Sequence, residues 1–352
     1  MAQRLITVLV VIVAGAAFPL LSAHPAVAQD YSIIDLGVLP SGHETEANAV
    51  NAKRQVAGIG VTVPVRAFYW ERGNIQDIGT LGGTKALAYD INNRGQVVGA
   101  ATLPGDQIGH AFVWRDGVLH DLGTLPGGTI SIGYAINQRG QVVGLADASD
   151  GQVHTFLWQR GTGMLDLGPL SLGGNPDETL PRAINNRGQV VGEAEDAEGN
   201  RRGFLWNAGE MTALGTLGGL RSHAYDLNER GEIVGATTAP DELEYYAVRW
   251  TDGQTESLGT LGRWSEARAI NNRGDIVGWS EGPDGYYHAV IWRGGVIESL
   301  DDLVAPDSGW MLIVANDINA AGDIVGAGFI NDEWHAFLLT PRMLSAAPTA
   351  AP

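Results

Sequence analysis

Hydrophobic and polar residues alternate along this chain in short blocks that return at a nearly constant spacing. The block Ala88–Gly99 reads AYDINNRGQVVG, with apolar residues on both sides of a polar Asn-Arg-Gly segment. Short runs rich in Val, Ile and Tyr, bounded by Gly and Asn, are typical of strands joined by tight turns. The block therefore predicts a hairpin of strands Ala86–Asn92 and Gln96–Ala101.

Seven copies of this block divide the chain. Each copy has one asparagine at the same place, called here the marker asparagine: Asn51, Asn92, Asn137, Asn185, Asn228, Asn271 and Asn319. Their spacing of 41 to 48 residues lies in the range of propeller blades. In the second copy, His110–Trp114 and Val118–Gly123 predict a third and a fourth strand. Four short antiparallel strands per copy predict a β-propeller blade.

The two ends of the array indicate how it closes. The seventh copy stops after its third strand, His335–Leu339, so its fourth strand is missing. A spare apolar segment, Tyr31–Gly37, precedes the first copy. Closure by this segment would supply the missing strand and remove exposed sheet edges. We therefore expect an all-β fold, a closed seven-bladed β-propeller of four-stranded antiparallel blades, forming one domain over residues 29–341.

Several motifs of the repeat resemble a known family. They are DIGTLGG (Asp77–Gly83), INNRGQVVG (Ile91–Gly99), HAF (His110–Phe112) and the terminal HAFLLTP (His335–Pro341). Over residues 31–341 the chain resembles the extracellular repeats named HAF after the third-strand motif. The resemblance implies secretion and a repeat fold, and it implies no activity. The fourth and fifth copies depart from the motif, with Arg-Gly-Phe at 202–204 and Tyr-Ala-Val at 246–248.

The two termini predict a processed, exported protein. Arg4, the apolar run Leu5–Leu21 and the small residues Ala26-Val27-Ala28 form the pattern of a cleaved signal peptide, residues 1–28. The Ala/Pro-rich tail, residues 342–352, is expected to be disordered. We expect a secreted or periplasmic monomer that is not inserted in a membrane after cleavage.

The amino-acid composition and net charge exclude several kinds of chemistry and partner. The absence of cysteine excludes disulfides and thiolate catalysis. A net charge of −18 argues against nucleic acid as a partner. Acidic loops such as Asp147–Gly151 and Glu193–Asn200 suit solvated turns better than a cofactor site. Calcium binding by their carboxylates is the open alternative, and no other cofactor is expected.

Two repeated side chains are interpreted as structural. His110, His154, His288 and His335 share one third-strand position, and a catalytic histidine would be needed only once. The third-strand tryptophans are expected in the blade core, and occupy Trp70, Trp114, Trp158, Trp206, Trp250 and Trp292.

Positions that change chemistry from copy to copy are better candidates for recognition. Such positions lie three and five residues before the marker asparagine, early in the first strand. If that strand is innermost, their side chains ring the mouth of the central channel; packing between blades is the alternative. Two tryptophans in the variable links add candidates for stacking on a ligand. The candidate ligand-binding residues are Glu46, Tyr89, Tyr134, Arg182, His223, Tyr225, Trp264, Glu266, Arg268 and Trp310.

Three functions remain open at this point. The first is a non-catalytic binding module that uses the variable-loop face for a glycan or a cell-surface partner. The second is a polysaccharide hydrolase or lyase, with acids such as Glu46 or Glu266 and with His223 at the channel mouth. The third is a structural component of the cell envelope. No catalytic residue is assigned, because no singular catalytic constellation is visible.

Overall fold

The structure, a computed structural model, describes residues 30–40, 42–240 and 244–342. The predicted signal peptide and residues 343–352 of the predicted tail lie outside the described residues. The same is true of residues 241–243 in one acidic loop. Within the described part of the chain, no helix is long and apolar enough to cross a membrane.

Each copy of the repeat forms a four-stranded antiparallel sheet, a blade, whose strands lie side by side in chain order, except that the N-terminal strand supplies the fourth strand of the last blade. The chain begins with β1 (Tyr31–Asp35). Blade 1 contains β2 (Glu44–Val50), β3 (Val56–Val61), β4 (Arg66–Glu71) and β5 (Asn74–Asp77). Blade 2 contains β6 (Ala86–Ile91), β7 (Val97–Thr102), β8 (Gly109–Arg115) and β9 (Val118–Asp121). Blade 3 contains β10 (Ser131–Ile136), β11 (Val142–Asp147), β12 (Val153–Gln159) and β13 (Gly163–Asp166).

The remaining blades repeat the pattern. Blade 4 contains β14 (Leu180–Ile184), β15 (Val190–Glu195), β16 (Arg201–Asn207) and β17 (Glu210–Ala213). Blade 5 contains β18 (Ser222–Leu227), β19 (Ile233–Thr238), β20 (Tyr245–Thr251) and β21 (Gln254–Ser257). Blade 6 contains β22 (Ser265–Ile270), β23 (Ile276–Glu281), β24 (Tyr287–Arg293) and β25 (Val296–Ser299). Blade 7 contains β26 (Trp310–Ile318), β27 (Ile324–Ile330) and β28 (Glu333–Pro341). Short 3-10 helices lie at Pro176–Glu178 and Leu300–Leu303.

The N-terminal strand completes the last blade. Strand β1 pairs antiparallel with β28, in a register that places Tyr31 opposite Pro341 and Asp35 opposite Phe337. The molecule is thus the closed seven-bladed β-propeller that the sequence predicts. In blade 2 the predicted strands differ from the observed ones by at most two residues at either end.

The first strand of each blade is innermost. The seven first strands form a ring in which each contacts the first strands of both neighbouring blades. The blade cores are filled by third-strand side chains such as Phe68, Phe112 and Phe337, each 0% exposed. Burial of a side chain of this size stabilises the fold by about 1.5–3 kcal/mol. Trp70, Trp114, Trp250 and Trp292 are also buried.

A hydrogen-bonded ring joins the blades near the axis. In Asn137, Oδ1 accepts from the backbone N–H of Arg139 and of Gln141, both at 3.0 Å, and so shapes its own turn. Its Nδ2 donates to the carbonyl of Asn185 in the next blade, at 3.0 Å. The same bond to the next marker asparagine occurs at all seven seams, including that from Asn319 to Asn51. The repeated asparagine is therefore a scaffold residue.

Every first strand carries a β-bulge three residues before its marker asparagine. In blade 2, Ala88 pairs with Gly99 and Asp90 pairs with Val98, so Tyr89 is the extra, unpaired residue. A Cβ atom at Gly99 would lie only 1.8 Å from the carbonyl oxygen of Leu87. The glycine of the repeated VVG block is therefore needed where the bulge brings two backbones together. Equivalent bulges occur in the other six blades.

Candidate functional site

The β-bulges place the variable residues of the repeat in the centre of the ring. A bulge inserts one extra residue into a strand, so the side chain of that residue departs from the usual alternation between the two faces of the sheet and points in a different direction. Here the extra residue is the one three positions before the marker asparagine: Asn48, Tyr89, Tyr134, Arg182, Tyr225, Arg268 and Asn316. Together with the residues two positions earlier, these form what we call the channel mouth. Their chemistry differs from blade to blade, whereas the surrounding scaffold is repeated.

A buried carboxylate organises one side of the channel mouth. Glu193, on β15, is 3% exposed. It accepts a hydrogen bond from Nη2 of Arg182 at 2.7 Å and a second one from Nδ1 of His223 in the next blade. The other ring nitrogen of His223, Nε2, lies 3.2 Å from the hydroxyl of Tyr245. Blades 4 and 5 are therefore joined by a hydrogen-bonded chain from Arg182 to Tyr245.

Aromatic and cationic groups surround Tyr225 in the same region. The His223 ring is stacked with the Tyr225 ring at a centroid distance of 6.0 Å. The guanidinium carbons of Arg182 and Arg268 lie 5.7 and 5.4 Å from the Tyr225 centroid. Arg268 also forms an ion pair with Glu266 at 3.2 Å. Cation–π contacts of this kind contribute about 0.5–2 kcal/mol each, so the cluster is held in one arrangement.

Burial and hydrogen bonding set the charges at the mouth. Burial opposes ionisation of Glu193, but the hydrogen bonds from His223 and Arg182 outweigh it and lower the pKa to about 2. Burial raises the pKa of Tyr134 to about 12 and that of Tyr225 further. At neutral pH the carboxylate is ionised and the phenols keep their protons. The mouth thus presents neutral hydroxyl groups beside two guanidinium groups.

The remaining predicted residues of the mouth make contacts around the ring. Tyr89 and Tyr134, from blades 2 and 3, pack with ring centroids 5.3 Å apart. Glu46 accepts a hydrogen bond from Asn316 at 3.0 Å across the closing seam. Glu266 accepts one from the indole nitrogen of Trp279 at 3.2 Å. Eight of the ten predicted residues therefore belong to the channel mouth.

The other two predicted residues, Trp264 and Trp310, lie elsewhere. Trp264 is half-buried in the link that enters blade 6, with the Arg263 guanidinium 6.0 Å from its ring centroid. Trp310 is half-buried at the start of β26 and packs edge-on against Phe337, 6.0 Å between centroids. Trp310 extends the core of blade 7. Among the described residues, neither tryptophan ring contacts Glu193 or the side chains around it.

Two important residues were missed by the sequence analysis as site residues. Glu193 stands eight positions after its marker asparagine, where the other copies have only apolar residues: Ile59, Ala100, Leu145, Ala236, Trp279 and Ala327. This contrast between copies is the signal that could have found it. Tyr245 gave no comparable signal, because it is the first residue of β20 and follows a loop whose length varies between copies.

Three aspartates line the channel below the mouth. Asp90, Asp226 and Asp317, called here the axial aspartates, face a polar pocket of about 240 Å³ bounded by the turns of all the blades. Each accepts the backbone N–H of a residue in the next blade, for example Ile136 to Asp90 at 2.8 Å. Burial raises their pKa values to about 6, 7 and 8. They serve as links between blades and do not lie at the mouth.

The repeated histidines also make structural hydrogen bonds. Nδ1 of His110 lies 3.0 Å from the Asp121 carboxylate, joining the third strand to the fourth. His154 and His335 make the same contact with Asp166 and Asp35. This geometry agrees with the structural interpretation of the repeat.

Carboxylates in the variable loops organise neighbouring backbone. Asp147 accepts the backbone N–H groups of Thr129 and Ile130, both at 2.7 Å. Asp106 similarly binds Thr84, and hydrogen bonds from Thr102 and Thr84 lower its pKa to about 2. Among the described residues, no group of three or more His, Cys, Asp or Glu side chains is arranged to hold a metal ion. These carboxylates fix the links between blades.

Comparison with known proteins adds a family match and structural neighbours. A family described as "Protein of unknown function (DUF3466)" matches residues 129–280, which span blade 3 to the second strand of blade 6. None of the curated proteins matches the chain.

Solved structures share the fold at low sequence identity. A streptogramin B lyase is 9% identical, with a TM-score of 0.54, covering 90% of this chain and 100% of that one. A puromycin-hydrolyzing peptidase from Mycobacterium tuberculosis is 11% identical, with a TM-score of 0.50, covering 92% of this chain and 56% of that one. An extracellular domain from B. thetaiotaomicron is 10% identical, with a TM-score of 0.50, covering 91% and 40%. At these identities the similarity supports the propeller fold alone.

Proposed function

We propose that this protein is a binding module that holds a polar ligand, such as a glycan, at the channel mouth. The observation that carries the proposal is the convergence of unlike side chains at repeated bulges. Arg182 and His223 bind the buried Glu193, and Arg182 and Arg268 flank the Tyr225 ring. These side chains come from three different blades. The propeller does not need such varied side chains to join one blade to the next, because other pairs of blades pack together without them.

The chemistry of the mouth suits a sugar. Tyrosine rings offer flat apolar faces, and neutral hydroxyl and guanidinium groups offer donors at their edges. The Arg268 side chain is 39% exposed, although it pairs with Glu266. The accessible part of its guanidinium can donate to a ligand hydroxyl or carboxylate. The predicted export of the chain and its resemblance to HAF repeats favour an extracellular or periplasmic ligand.

A matched pair of variants tests this proposal. Arg268→Gln removes the guanidinium at the mouth, and Arg230→Gln removes one on the opposite face, where Arg230 pairs with Glu232. The purified protein is first screened on a glycan array, and hits are measured by calorimetry. We expect Arg268→Gln to weaken binding by about tenfold or more and Arg230→Gln to leave it unchanged. A screen without hits, or equal effects of both variants, would refute the proposal.

A second function is favoured by one specific observation. The chain Tyr245–His223–Glu193 resembles the arrangement in which a carboxylate orients a histidine toward a hydroxyl group. In such a site the histidine is the general base and the carboxylate stabilises its charged form. This geometry supports a hydrolase or lyase that acts on a polysaccharide bound at the mouth.

Turnover and binding separate the two functions. A bound glycan is incubated with the protein and the products are examined for new reducing ends or unsaturated ends. Cleavage that is lost in His223→Asn, while binding is retained, supports the enzyme. A bound glycan that stays intact over long incubation at high protein concentration supports the binding module.

A further inference from the structure

The face opposite the channel mouth carries a basic groove at the seam between blades 2 and 3. Its volume is about 490 Å³. Four arginines line it, from turns and strand ends of the two blades: Arg94, Arg115, Arg139 and Arg160. His120 and Trp158 complete its walls, and its acidic lining residues are Asp116 and Asp121. Such a concentration of positive charge is unusual in a chain of net charge −18.

The four arginines have no carboxylate partner among the described residues. Nε of Arg115 donates to Nε2 of His120 at 3.1 Å, a contact that does not supply a negative charge. Asp121 is already engaged by His110 and by the backbone N–H of Gly123. The groove therefore keeps an excess of positive charge that its own side chains do not neutralise.

Blade 6 shows how a carboxylate can pair with arginines at these positions. Arg273 and Arg293 occupy the positions that Arg94 and Arg115 occupy in blade 2. Between them stands Asp275, whose carboxylate lies 2.9 Å from Arg273 and 3.5 Å from Arg293. Blade 5 uses Glu232 at this position, and blade 7 uses Asp323.

Blades 2 and 3 carry arginines but have glutamine in place of that carboxylate, as blades 1 and 4 also do with Gln55 and Gln189. The position holds Gln96 in blade 2 and Gln141 in blade 3. The Gln96 side chain still accepts a hydrogen bond from its marker asparagine at 2.9 Å, as Asp275 does at 3.0 Å. Glutamine thus makes the same scaffold contact without a negative charge. Blades 2 and 3 are neighbours, and their arginines line one groove.

We propose that this groove is a second binding site, which takes a short acidic oligosaccharide that bears carboxylate groups. Guanidinium groups bind carboxylates through two parallel hydrogen bonds. Trp158 is half-buried, whereas Trp70, Trp114, Trp250 and Trp292 at the same repeat position are buried. Its accessible ring offers a surface on which the apolar face of a sugar can pack. The groove thus combines charge and stacking in one seam.

The net negative charge of the molecule favours a short anionic ligand over an extended one. A nucleic acid carries a negative charge at every nucleotide and would extend from the groove over a surface that is strongly acidic. A uronate oligosaccharide of a few residues places its charges inside the groove. The site lies among the turns of the fixed face, away from the channel mouth, and does not depend on the function proposed there.

The internal comparison of blades supplies the test. Gln96→Asp introduces the carboxylate that blade 6 has, which would pair with Arg94 and Arg115 as Asp275 does with Arg273 and Arg293, and lowers the charge of the groove by one without removing an arginine. Gln189→Asp makes the same change in blade 4, outside the groove. The probe is a galacturonic acid tetramer, measured by calorimetry at low ionic strength because exposed charges are screened by salt.

We expect the tetramer to bind, Gln96→Asp to weaken binding by about tenfold or more, and Gln189→Asp to leave it unchanged. A fully methyl-esterified tetramer, which lacks the charges, should not bind. Absence of tetramer binding, or equal loss in both variants, would overturn the proposal. So would loss of binding in Arg268→Gln with none in Gln96→Asp, which would place the tetramer at the channel mouth. Tighter binding of a single-stranded DNA decamer would overturn the ligand class.

Discussion

The marker asparagines provide the sharpest test of how the ring is held together. Asn137 is 3% exposed and its side chain makes four hydrogen bonds. Two shape the turn of its own blade, one fixes the side chain of Gln141, and one reaches the carbonyl of Asn185. Asn137→Ala removes all four and leaves buried partners unpaired. At about 0.5–1.5 kcal/mol per bond, the loss is about 2–6 kcal/mol of unfolding free energy.

Two further variants bracket this loss. Asn137→Asp keeps the two bonds that Oδ1 accepts but places a buried carboxylate oxygen against the oxygens of Gln141 and Asn185, so at neutral pH it should cost at least as much as Asn137→Ala. Gln138→Ala, on the neighbouring exposed residue, removes one bond from the backbone N–H of Asn93 at 2.8 Å. Its expected cost is about 1 kcal/mol.

Urea denaturation followed by circular dichroism measures these differences, with slopes compared to verify that the same transition is observed. If Asn137→Ala falls within about 1 kcal/mol of Gln138→Ala, the ring of asparagines does not stabilise the fold through these four hydrogen bonds.

Two other predictions concern the bulge and the axial pocket. Gly99→Ala would bring its Cβ to 1.8 Å from the Leu87 carbonyl oxygen and should cost at least about 1–3 kcal/mol by urea denaturation. Gly109→Ala, with its nearest atom at 3.6 Å, is the control, and an equal cost would contradict the bulge argument. The axial aspartates have folded-state pKa values of about 6, 7 and 8, above their ordinary value of 3.8. The folded protein therefore holds these protons more tightly than the unfolded chain does. Their contribution is complete below about pH 4 and is lost as pH rises through about 8, so replacing all three with Asn should flatten this part of the pH–stability profile.

The repeat made the scaffold predictable from sequence. The glycine of the Asn-Arg-Gly turn has a φ of +75° at Gly95, as the predicted hairpin requires. The first copy, which lacks this glycine, places Arg54 itself at a φ of +61°. The closing strand could be predicted because a missing strand at one end matched a spare strand at the other.

The functional features were harder to predict for a physical reason. A consensus describes what blades share, whereas the channel mouth and the groove arise where one blade differs from its neighbours. Glu193 stands where the other blades have apolar residues, and the arginines of blades 2 and 3 lack the carboxylate that blades 5, 6 and 7 carry. Each feature gains meaning only from the side chains that the fold brings beside it. The bulges could not be read from the sequence, because their register depends on backbone pairing. The repeated glycine of the VVG block was an indirect indication of the bulges, because it stands where a bulge brings two backbones together.

Closure by β1 has a consequence for how the chain is made. Tyr31 is among the first residues of the propeller to be synthesised, and its partner Pro341 is among the last. At about 5–20 residues per second, the first strand waits roughly 15–60 s before its partner exists. During that interval β1 and the open edge of the growing array expose unpaired backbone groups, which can pair with other chains. A stop anywhere before β28 leaves a ring that cannot close, so truncated chains should be prone to aggregation while the complete chain is protected.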